Sequence, residues 1–429
     1  MTPSVYLDHN ATTPVAPEVL DAMLPFLGEH FGNPSSAHSF GRAPAQAVDR
    51  AREQVAALIG ASSTEILFTG CATEANNLAL LGAAAASPPE RRHLVISAVE
   101  HPAVMAPAQH LAQRGWRVTV VPVDSTGCVS VEAVAGSLRD DTALVSVMHA
   151  NNEVGTLQPI SGIAAITRPR GILLHTDAAQ STGKVLVDVN ALGVDLLTLA
   201  GHKFYAPKGV GALYVRRGTP IQQVLHGAGQ EHGLRPGTEN VAGIVALGAA
   251  AALARRSLPA AAVHLRALRD HLHQHLLAAV PDLRLNGHPE HRLPNTLHVS
   301  FPGVSGRALL GEVADVVAAS VGSACHSAHD AVSGVLAAMG ADAARAAGAV
   351  RLSVGRGTTL DEVERAADAL ACAWRPLCRT CSSMVTRNTD CPTRCMSRFR
   401  ARAGARYSAK LPTSSRRRSG RPVTPSAMR

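Results

Sequence analysis

The chain has 429 residues, of which 46% are hydrophobic and 17% charged, and its formal net charge is +9. This composition is that of a globular protein with room for two or three domains, and it excludes a disordered chain. Residues 375–429 contain fourteen Arg or Lys and one acid, which gives this segment a charge of +13. Because the whole chain carries +9, the body of the protein, residues 1–374, carries −4. Because the body lacks a basic surface, a nucleic-acid partner is disfavoured.

The N-terminus and the cysteines indicate a reduced, cytoplasmic protein. The opening "MTPSVYLDHN" has neither the basic nor the apolar region of a signal peptide. The longest apolar run, 241–254, has 14 residues, which is typical of a buried helix and too short to span a bilayer. Only three of the eight cysteines precede residue 370, which argues against a disulfide scaffold. We expect no membrane partner.

From residue 65 onward, short apolar runs alternate with helical patterns. The predicted strands are 65–68, 93–98, 142–149, 171–179, 194–200 and 209–215, and the first two are followed by helices at 73–86 and 101–115. Continuous apolar strands separated by helices predict βαβ units and a largely parallel, buried sheet. The expected fold class is therefore α/β.

The second half of the chain predicts a smaller domain and a tail. A linking helix at 238–256 leads to a helix at 260–280 and to strands at 296–301 and 350–355. We therefore expect a large domain at 1–256, whose first 15 or so residues pack on the small domain, and an α+β domain at 257–374. Residues 375–429 predict a basic, disordered tail. The spacing of its cysteines does not fit the common zinc fingers, so no resident metal is predicted.

In open α/β sheets, ligands bind beyond the carboxyl ends of the strands. Distinctive side chains follow the predicted strands there, in the order Ala72 and Thr73, His101, Asn152, Asp177 and Lys203. Ala72 and Thr73 open a helix, where they are suited either to bind phosphate or simply to cap the helix. Asp177 ends a buried strand and requires a partner, which is either a protonated ring nitrogen or an arginine.

Lysine is rare in this chain. Only Lys184, Lys203, Lys208 and Lys410 occur among 41 basic residues. Lys203 lies on a glycine-bracketed turn at a strand end, where partial burial lowers the pKa of an amine and makes it an imine-forming nucleophile, a role closed to arginine. Lys208 is expected to point away from the site, and Lys184 to be a solvated edge residue. A phosphate cradle, a carboxylate and an imine-forming amine together predict a pyridoxal-phosphate site.

Ten motifs in order extend this pattern over residues 4–370: "YLDHNATTP", "GNPSSAH", "ATEANNLAL", "EHPAV", "NNEVG", "HTDAAQ", "GHKFYAPKGVGALYV", "RPGTEN", "GSACHS" and "VRLSVGR". The chain resembles the cysteine desulfurases of aminotransferase class V, and two of the motifs also resemble the selenocysteine lyases. The resemblance implies the pyridoxal-phosphate-dependent transferase fold type I, with a mostly parallel seven-stranded sheet in the large domain and a smaller α+β domain at the C-terminal end.

The resemblance also implies residue roles. Lys203 matches the lysine that bonds to the cofactor, Asp177 the partner of the pyridine nitrogen, Gln180 the contact to the phenolic oxygen and His101 the stacked imidazole. For the phosphate, the matching residues are Ala72, Thr73 and His202, together with Thr238 supplied by the other subunit of a homodimer. Asn152 and Arg351 match the groups that hold the substrate carboxylate. Asn152 also matches a cofactor-binding residue. Cys325 matches the thiol that accepts sulfur, and it is also a candidate transient ligand of an iron–sulfur cluster.

The implied function is removal of sulfur from L-cysteine to give L-alanine and a persulfide on Cys325, for transfer to an acceptor such as an iron–sulfur scaffold protein. One alternative is selenocysteine lyase activity, with L-selenocysteine as substrate. Another is a non-catalytic scaffold that binds partners through its basic tail, which the presence of Lys203 and Cys325 disfavours. Two departures from the pattern concern the phosphate: Ala200 stands where many relatives have a serine, and Cys71 where a glycine is common.

Overall fold

The computed structural model of the chain describes residues 4–322 and 333–379. Within these ranges it contains twelve strands: β1 Val5–Tyr6, β2 Ile66–Thr69, β3 His93–Ser97, β4 Arg117–Val121, β5 Thr142–Ser146, β6 Leu173–Asp177, β7 Leu196–Ala200, β8 Gly211–Val215, β9 Arg284–Asn286, β10 Thr296–Ser300, β11 Val317–Ala318 and β12 Ala349–Ser353. The same residues form thirteen α-helices: α1 Pro17–Met23, α2 Pro25–Gly28, α3 Ser39–Ile59, α4 Ala72–Ala86, α5 Pro102–Gln113, α6 Val131–Ser137, α7 Ile160–Thr167, α8 Val189–Leu192, α9 Val241–Ala279, α10 Gly306–Glu312, α11 Gly334–Ala338, α12 Ala343–Ala347 and α13 Leu360–Arg379.

The central sheet has seven strands in the order β2-β8-β7-β6-β5-β3-β4. Only β8 runs antiparallel to its neighbours, and the other six strands are parallel. The expected mostly parallel, seven-stranded α/β sheet is confirmed. The sequence did not indicate β4, because this edge strand is half exposed and lacks the continuous apolar run of a buried strand.

Helices cover both faces of this sheet. Successive residues of a strand point to opposite sides, so a strand that is apolar throughout needs cover on both faces. In β7, Leu196 packs into the core under α4 and α5, whereas Leu197 packs into the core under α3 and α9. The run "HLVIS" of β3 is buried along its whole length. A strand buried on both faces explains why the sequence shows apolar runs rather than alternation.

Helix α9 joins this core to a second one. Its first half packs with the central sheet and its second half, with Leu265, Leu268 and Leu272, packs in the second core. The sequence predicted two helices here, but one helix continues through Pro259. The apolar run 241–254 forms a buried helix, as expected. By length and composition alone, α9 is apolar enough to cross a membrane, and 61% of its apolar 18-residue window is buried in the protein.

The second core contains a three-stranded antiparallel sheet, β12-β10-β9. The start of the chain joins it: β1 pairs with β11, and the Ser353 backbone N–H donates to the Leu7 carbonyl. The predicted domain boundary at residue 256 falls inside α9 and stays a prediction. Helix α13 continues to Arg379, so residues 375–379 are helical. The predicted disorder of the remaining tail lies outside the described residues.

Candidate active site

The carboxyl ends of the parallel strands deliver the predicted side chains to one edge of the central sheet. Helix α4 begins directly after β2, and His101 precedes α5 after β3. Asn152 follows β5, Asp177 is the last residue of β6, and Lys203 lies in a 3-10 turn after β7. Because these strands are parallel, their ends meet at the same edge, as expected for a ligand site in this fold.

Asp177 is a buried carboxylate that has only neutral partners. Its side chain is 5% exposed; Oδ2 accepts from Asn76 Nδ2 at 2.7 Å and Oδ1 accepts from the Ala179 N–H at 2.9 Å. Among the residues that the structure describes, no Arg, Lys or His forms an ion pair with it. Because a buried charge is costly without a partner of opposite sign, Asp177 is suited to a cationic ligand atom, such as a protonated ring nitrogen, rather than to a structural arginine.

His101 is the N-cap of α5, and its neighbours define its tautomer. Its Nδ1 accepts from the Ala103 N–H at 3.1 Å, so the ring proton of the neutral imidazole lies on Nε2. Burial lowers the pKa of His101, and the charge of Asp177 raises it while that of Lys203 lowers it further. Both charges act on one ring, so the structure brings these three predicted residues together.

Lys203 and Gln180 meet at a residue to which the sequence reasoning gave no role. The amine of Lys203 donates to the backbone carbonyls of Asn10 and Ala11, the latter at 2.9 Å. Gln180 Nε2 donates to the same Asn10 carbonyl at 2.9 Å. Asn10 is fully buried and its N–H donates to Ser353 Oγ. Its position in the first quoted motif was the only sequence signal for this residue.

Lys184 corrects another expectation. It was predicted to be a solvated edge residue, yet it is 6% exposed, and its Nζ donates to Gln180 Oε1 at 2.9 Å and to Asn10 Oδ1 at 3.1 Å. It follows Gln180 by four residues in the turn after β6, and that turn directs its side chain inward. Burial lowers its pKa well below the usual value, and the charges of Lys203 and Arg351 lower it further. Lys208 is exposed, as expected.

The start of α4 offers backbone N–H groups to an anion. No side chain caps this end, since the N-cap residue Cys71 is exposed and makes no capping hydrogen bond. Thr73 is exposed in the first turn. A Cβ added at Gly211 would lie 3.1 Å from the Ala72 nitrogen, so glycine allows β8 to pass close to this helix end. An uncapped helix N-terminus of this kind binds phosphate.

His202 lies beside the N-terminal segment at the same edge. Its Nδ1 is 3.2 Å from Thr12 Oγ1, and its carbonyl accepts from the Thr13 hydroxyl. Burial, followed by the charge of Lys203, lowers the pKa of His202 to about 4. The imidazole is therefore neutral near pH 7 and acts as a hydrogen-bonding group rather than as a cation.

Arg351, in β12 of the second sheet, reaches the ends of the first sheet. It is 2% exposed; Nη1 donates to the Asn152 carbonyl at 2.9 Å and Nη2 pairs with Asp8 Oδ1 at 2.8 Å. Its Nε is buried and has no hydrogen-bond partner in the structure. Arg351 and Asn152, the two predicted carboxylate-binding residues, are thus in direct contact, and Asp8 neutralises part of the guanidinium charge.

Cys325 and Thr238 are the two remaining predicted residues. Cys325 lies outside the described residues, but both described flanks of its segment approach Glu153: Ser333 Oγ donates to Glu153 Oε2 at 2.5 Å, and a Cβ at Gly322 would lie 3.0 Å from that oxygen. Thr238 is exposed in the loop between β8 and α9. Its proposed contact to another subunit stays a prediction.

Arg52 and Glu231 anchor the loop that carries Thr238. Their side chains form an ion pair at 2.6 Å, and Glu231 Oε2 also accepts from the Phe68 N–H of β2. The Glu231 side chain is 3% exposed and the Arg52 side chain 13%. Because the carboxylate is buried and has both a charged and a backbone donor, it holds this loop against the edge of the central sheet.

The residues present fit pyridoxal phosphate. The uncapped start of α4 suits its phosphate, the buried carboxylate of Asp177 suits its protonated pyridine nitrogen, and the amine of Lys203 suits its aldehyde. Within residues 4–322 and 333–379, no group of three or more His, Cys, Asp or Glu side chains is arranged to hold a metal ion.

Comparison with known proteins shows the family to which the chain belongs. The aminotransferase class-V family model matches residues 5–366. A cysteine desulfurase IscS of Dictyoglomus turgidum is 44% identical over 371 residues, covering 86% of this chain and 94% of that protein. A cysteine desulfurase NifS of Azotobacter vinelandii is 47% identical over 363 residues, covering 84% and 90%. A solved NifS-like protein has a TM-score of 0.81 at 39% identity, covering 87% of this chain and 99% of that one.

The chain therefore belongs to the aminotransferase class-V family and has the fold type I of pyridoxal-phosphate-dependent enzymes. Its relatives at 44–47% identity span most of its length and are cysteine desulfurases. Within the family, this protein is a pyridoxal-phosphate-dependent cysteine desulfurase.

Proposed function

We propose that this enzyme takes sulfur from L-cysteine, releases L-alanine and holds the sulfur as a persulfide on Cys325. The observation that carries the proposal is that the buried carboxylate of Asp177 and the amine of Lys203 lie at the same edge of the sheet. The charges of both groups act on one imidazole, that of His101. When bound, pyridoxal phosphate supplies an electron sink that loosens the Cβ–S bond of cysteine.

The side chains at the carboxyl edge of the sheet have separate tasks in this proposal. The amine of Lys203, when it is free, would remove the Cα proton of cysteine as general base. Asp177 keeps the proton of the ring nitrogen in place, because its negative charge stabilises the protonated form. His101 carries its proton on Nε2 and donates it to the Cβ atom from which the sulfur has left. Arg351 and Asn152 bind the substrate carboxylate, to which the unpartnered Nε of Arg351 offers a donor.

The sulfur transfer balances without an external oxidant. The Cys325 thiolate attacks the substrate sulfur, the Cβ–S bond breaks, and a sulfur–sulfur bond forms. The electron pair of the broken bond stays on Cβ, where a proton replaces the sulfur to give alanine. The enzyme thiol is oxidised to a persulfide while the substrate carbon is reduced, so cysteine and one enzyme thiol yield alanine and one persulfide.

Replacing Cys325 with serine tests the acceptor. We expect C325S to gain no sulfur when the holoenzyme is incubated with L-cysteine and examined by intact mass spectrometry, because a hydroxyl cannot form a persulfide. Wild type should gain one sulfur atom per site and release alanine in equal amount.

The matched control is C128S, which removes a partly buried thiol whose pKa is raised by burial and which is therefore less often a thiolate. It should gain sulfur as wild type does. Equal sulfur gain by C325S and wild type would show that another group accepts the sulfur. Alanine release from selenocysteine but not from cysteine would favour the selenocysteine lyase alternative.

We also propose a homodimer, in which the loop with Thr238 completes the phosphate site of the other subunit. Large apolar side chains of α1–α3 and their connections support this, because Leu24, Leu27, Phe31 and Phe40 are 50–71% exposed in the single chain. A mass in solution of twice the chain mass of 44.6 kDa is expected by light scattering. A monomer that turns over cysteine at full rate would contradict a site shared between subunits.

The proposed sulfur acceptor is a protein such as an iron–sulfur scaffold, since a persulfide donates its outer sulfur to other thiols. A cytoplasmic location is proposed with it. The free thiols of Cys71 and Cys128 support a reducing compartment.

A further inference from the structure

The buried amine of Lys184 has no task in the reaction above. Its Nζ has two hydrogen-bond acceptors, Gln180 Oε1 at 2.9 Å and Asn10 Oδ1 at 3.1 Å. In the part of the chain that the structure describes, no carboxylate forms an ion pair with it. Burying a lysine without a counter-charge costs free energy. A lysine in such a place therefore indicates a role that an apolar side chain cannot fulfil.

Lys184 determines which way the Gln180 amide points. A protonated lysine amine can only donate hydrogen bonds, and the Asn10 backbone carbonyl can only accept them. Gln180 touches both: its Oε1 faces Lys184 and its Nε2 faces the carbonyl. If the amide were reversed, two donors would meet at Lys184 and two acceptors at Asn10. The pair therefore allows one orientation of the amide.

Lys184 also acts on the other side of Asn10. The Asn10 side-chain oxygen accepts from Lys184 and from Asn295 Nδ2, while its Nδ2 donates to Thr296 Oγ1 at 2.8 Å. These contacts fix the residue whose backbone carbonyl accepts from the Lys203 amine. One buried amine thus contacts Gln180 and Asn10, the two residues that meet at the carbonyl to which the Lys203 amine donates.

We propose that Lys184 is a positioning residue, which locks the Gln180 amide with its Nε2 toward the Asn10 carbonyl and fixes that carbonyl, and so sets the pH at which the Lys203 nitrogen gains or loses its proton. The inference rests on the proposed function of Lys203.

A cavity beside this cluster is consistent with the need for a fixed amide. It measures about 30 Å³ and is lined by both lysines, His9 and Asn295 together with apolar residues of α9. That volume holds one or two water molecules. His9 Nδ1, buried and without a partner in the structure, is available to such a water.

The test is K184M in the holoenzyme, because methionine has an unbranched side chain only one atom shorter than that of lysine and donates no hydrogen bond. We expect kcat for L-cysteine to fall about tenfold, the equivalent of one lost hydrogen bond of about 1.4 kcal/mol. KM should be nearly unchanged. The pH at which the visible absorption of the bound cofactor changes should move by about half a unit or more.

The matched control is K208M, the same substitution at an exposed lysine, which should leave the rate and the absorption midpoint unchanged. A double-mutant cycle provides the second test: because Lys184 acts through Gln180, adding K184M to Q180A should change the absorption midpoint less than K184M does alone. K184Q, which restores an uncharged N–H donor, should recover part of the rate and covers the case in which K184M does not fold.

The inference is overturned if folded K184M, with its full complement of cofactor, has the absorption midpoint and kcat of wild type, or if its effect is fully additive with that of Q180A. These outcomes differ from a failure of the proposed function. In that case wild type itself would form no persulfide and release no alanine, whatever residue occupied position 184.

Discussion

K203A is expected to lose the visible absorption band of the bound cofactor and to reduce kcat by roughly 1,000-fold or more, since both the covalent link and the general base disappear. The amine of Lys203 lies in the 3-10 turn after β7 and donates to the carbonyls of Asn10 and Ala11. The measurements are the absorption spectrum of the purified protein after addition of pyridoxal phosphate, and alanine release from L-cysteine.

Two further variants separate chemistry from folding. K203R keeps a positive charge and several N–H donors but forms no imine, so it should be as inactive as K203A. K208A removes an exposed lysine and should keep both the band and the rate. A K203R or K203A protein that retained the band and the turnover of wild type would exclude Lys203 as the residue bonded to the cofactor.

The second large effect is acid instability. Burial lowers the pKa of His9 and His149 to about 4 and that of His175 and His298 to about 3, from an ordinary value of 6.5. As the pH falls below 6.5, the unfolded chain takes up protons at these positions while the folded chain does not. The stability that these residues contribute is therefore fully present above pH 6.5 and is lost as the pH falls toward their folded values.

Each of these histidines should remove roughly 2 kcal/mol from the free energy of unfolding between pH 6.5 and about pH 5. Together they approach the whole stability of a typical protein, which is about 5–15 kcal/mol. We therefore expect the urea midpoint of the holoenzyme to fall steeply over this range. Glu100 acts in the opposite direction, because burial raises its pKa to about 8 and its contribution declines as the pH rises from 4.5 to about 8.

A single substitution should make the pH dependence less steep. H298Q removes a fully buried imidazole whose Nε2 has no hydrogen-bond partner in the structure, so the slope of stability against pH should decrease by about one proton. H110Q, at an exposed position, should leave the slope unchanged. A urea midpoint that stayed constant between pH 7 and about pH 5 in wild type would contradict the neutral state of the buried histidines.

The Lys184 example shows where sequence reasoning about the site stops. Its rarity among 41 basic residues was visible, but the same rarity applied to the exposed Lys208. Only the turn after β6 decides that one amine points inward to Gln180 while the other faces solvent. Asn10 presents the same difficulty, because its partners come from positions as distant as Lys203, Asn295 and Ser353.

The chain order of apolar runs and the residues after them determined the α/β sheet, its parallel strands and the edge at which Asp177 and Lys203 lie, because a parallel sheet brings every strand end to one side. The tertiary structure alone decided that 241–279 is one helix and that the half-exposed β4 forms one edge of the sheet. It alone also decided that Arg351 contacts Asn152 and Asp8. These features depend on which side chains meet across long sequence separations. Local patterns record the period and polarity of a segment but not the partner against which it packs.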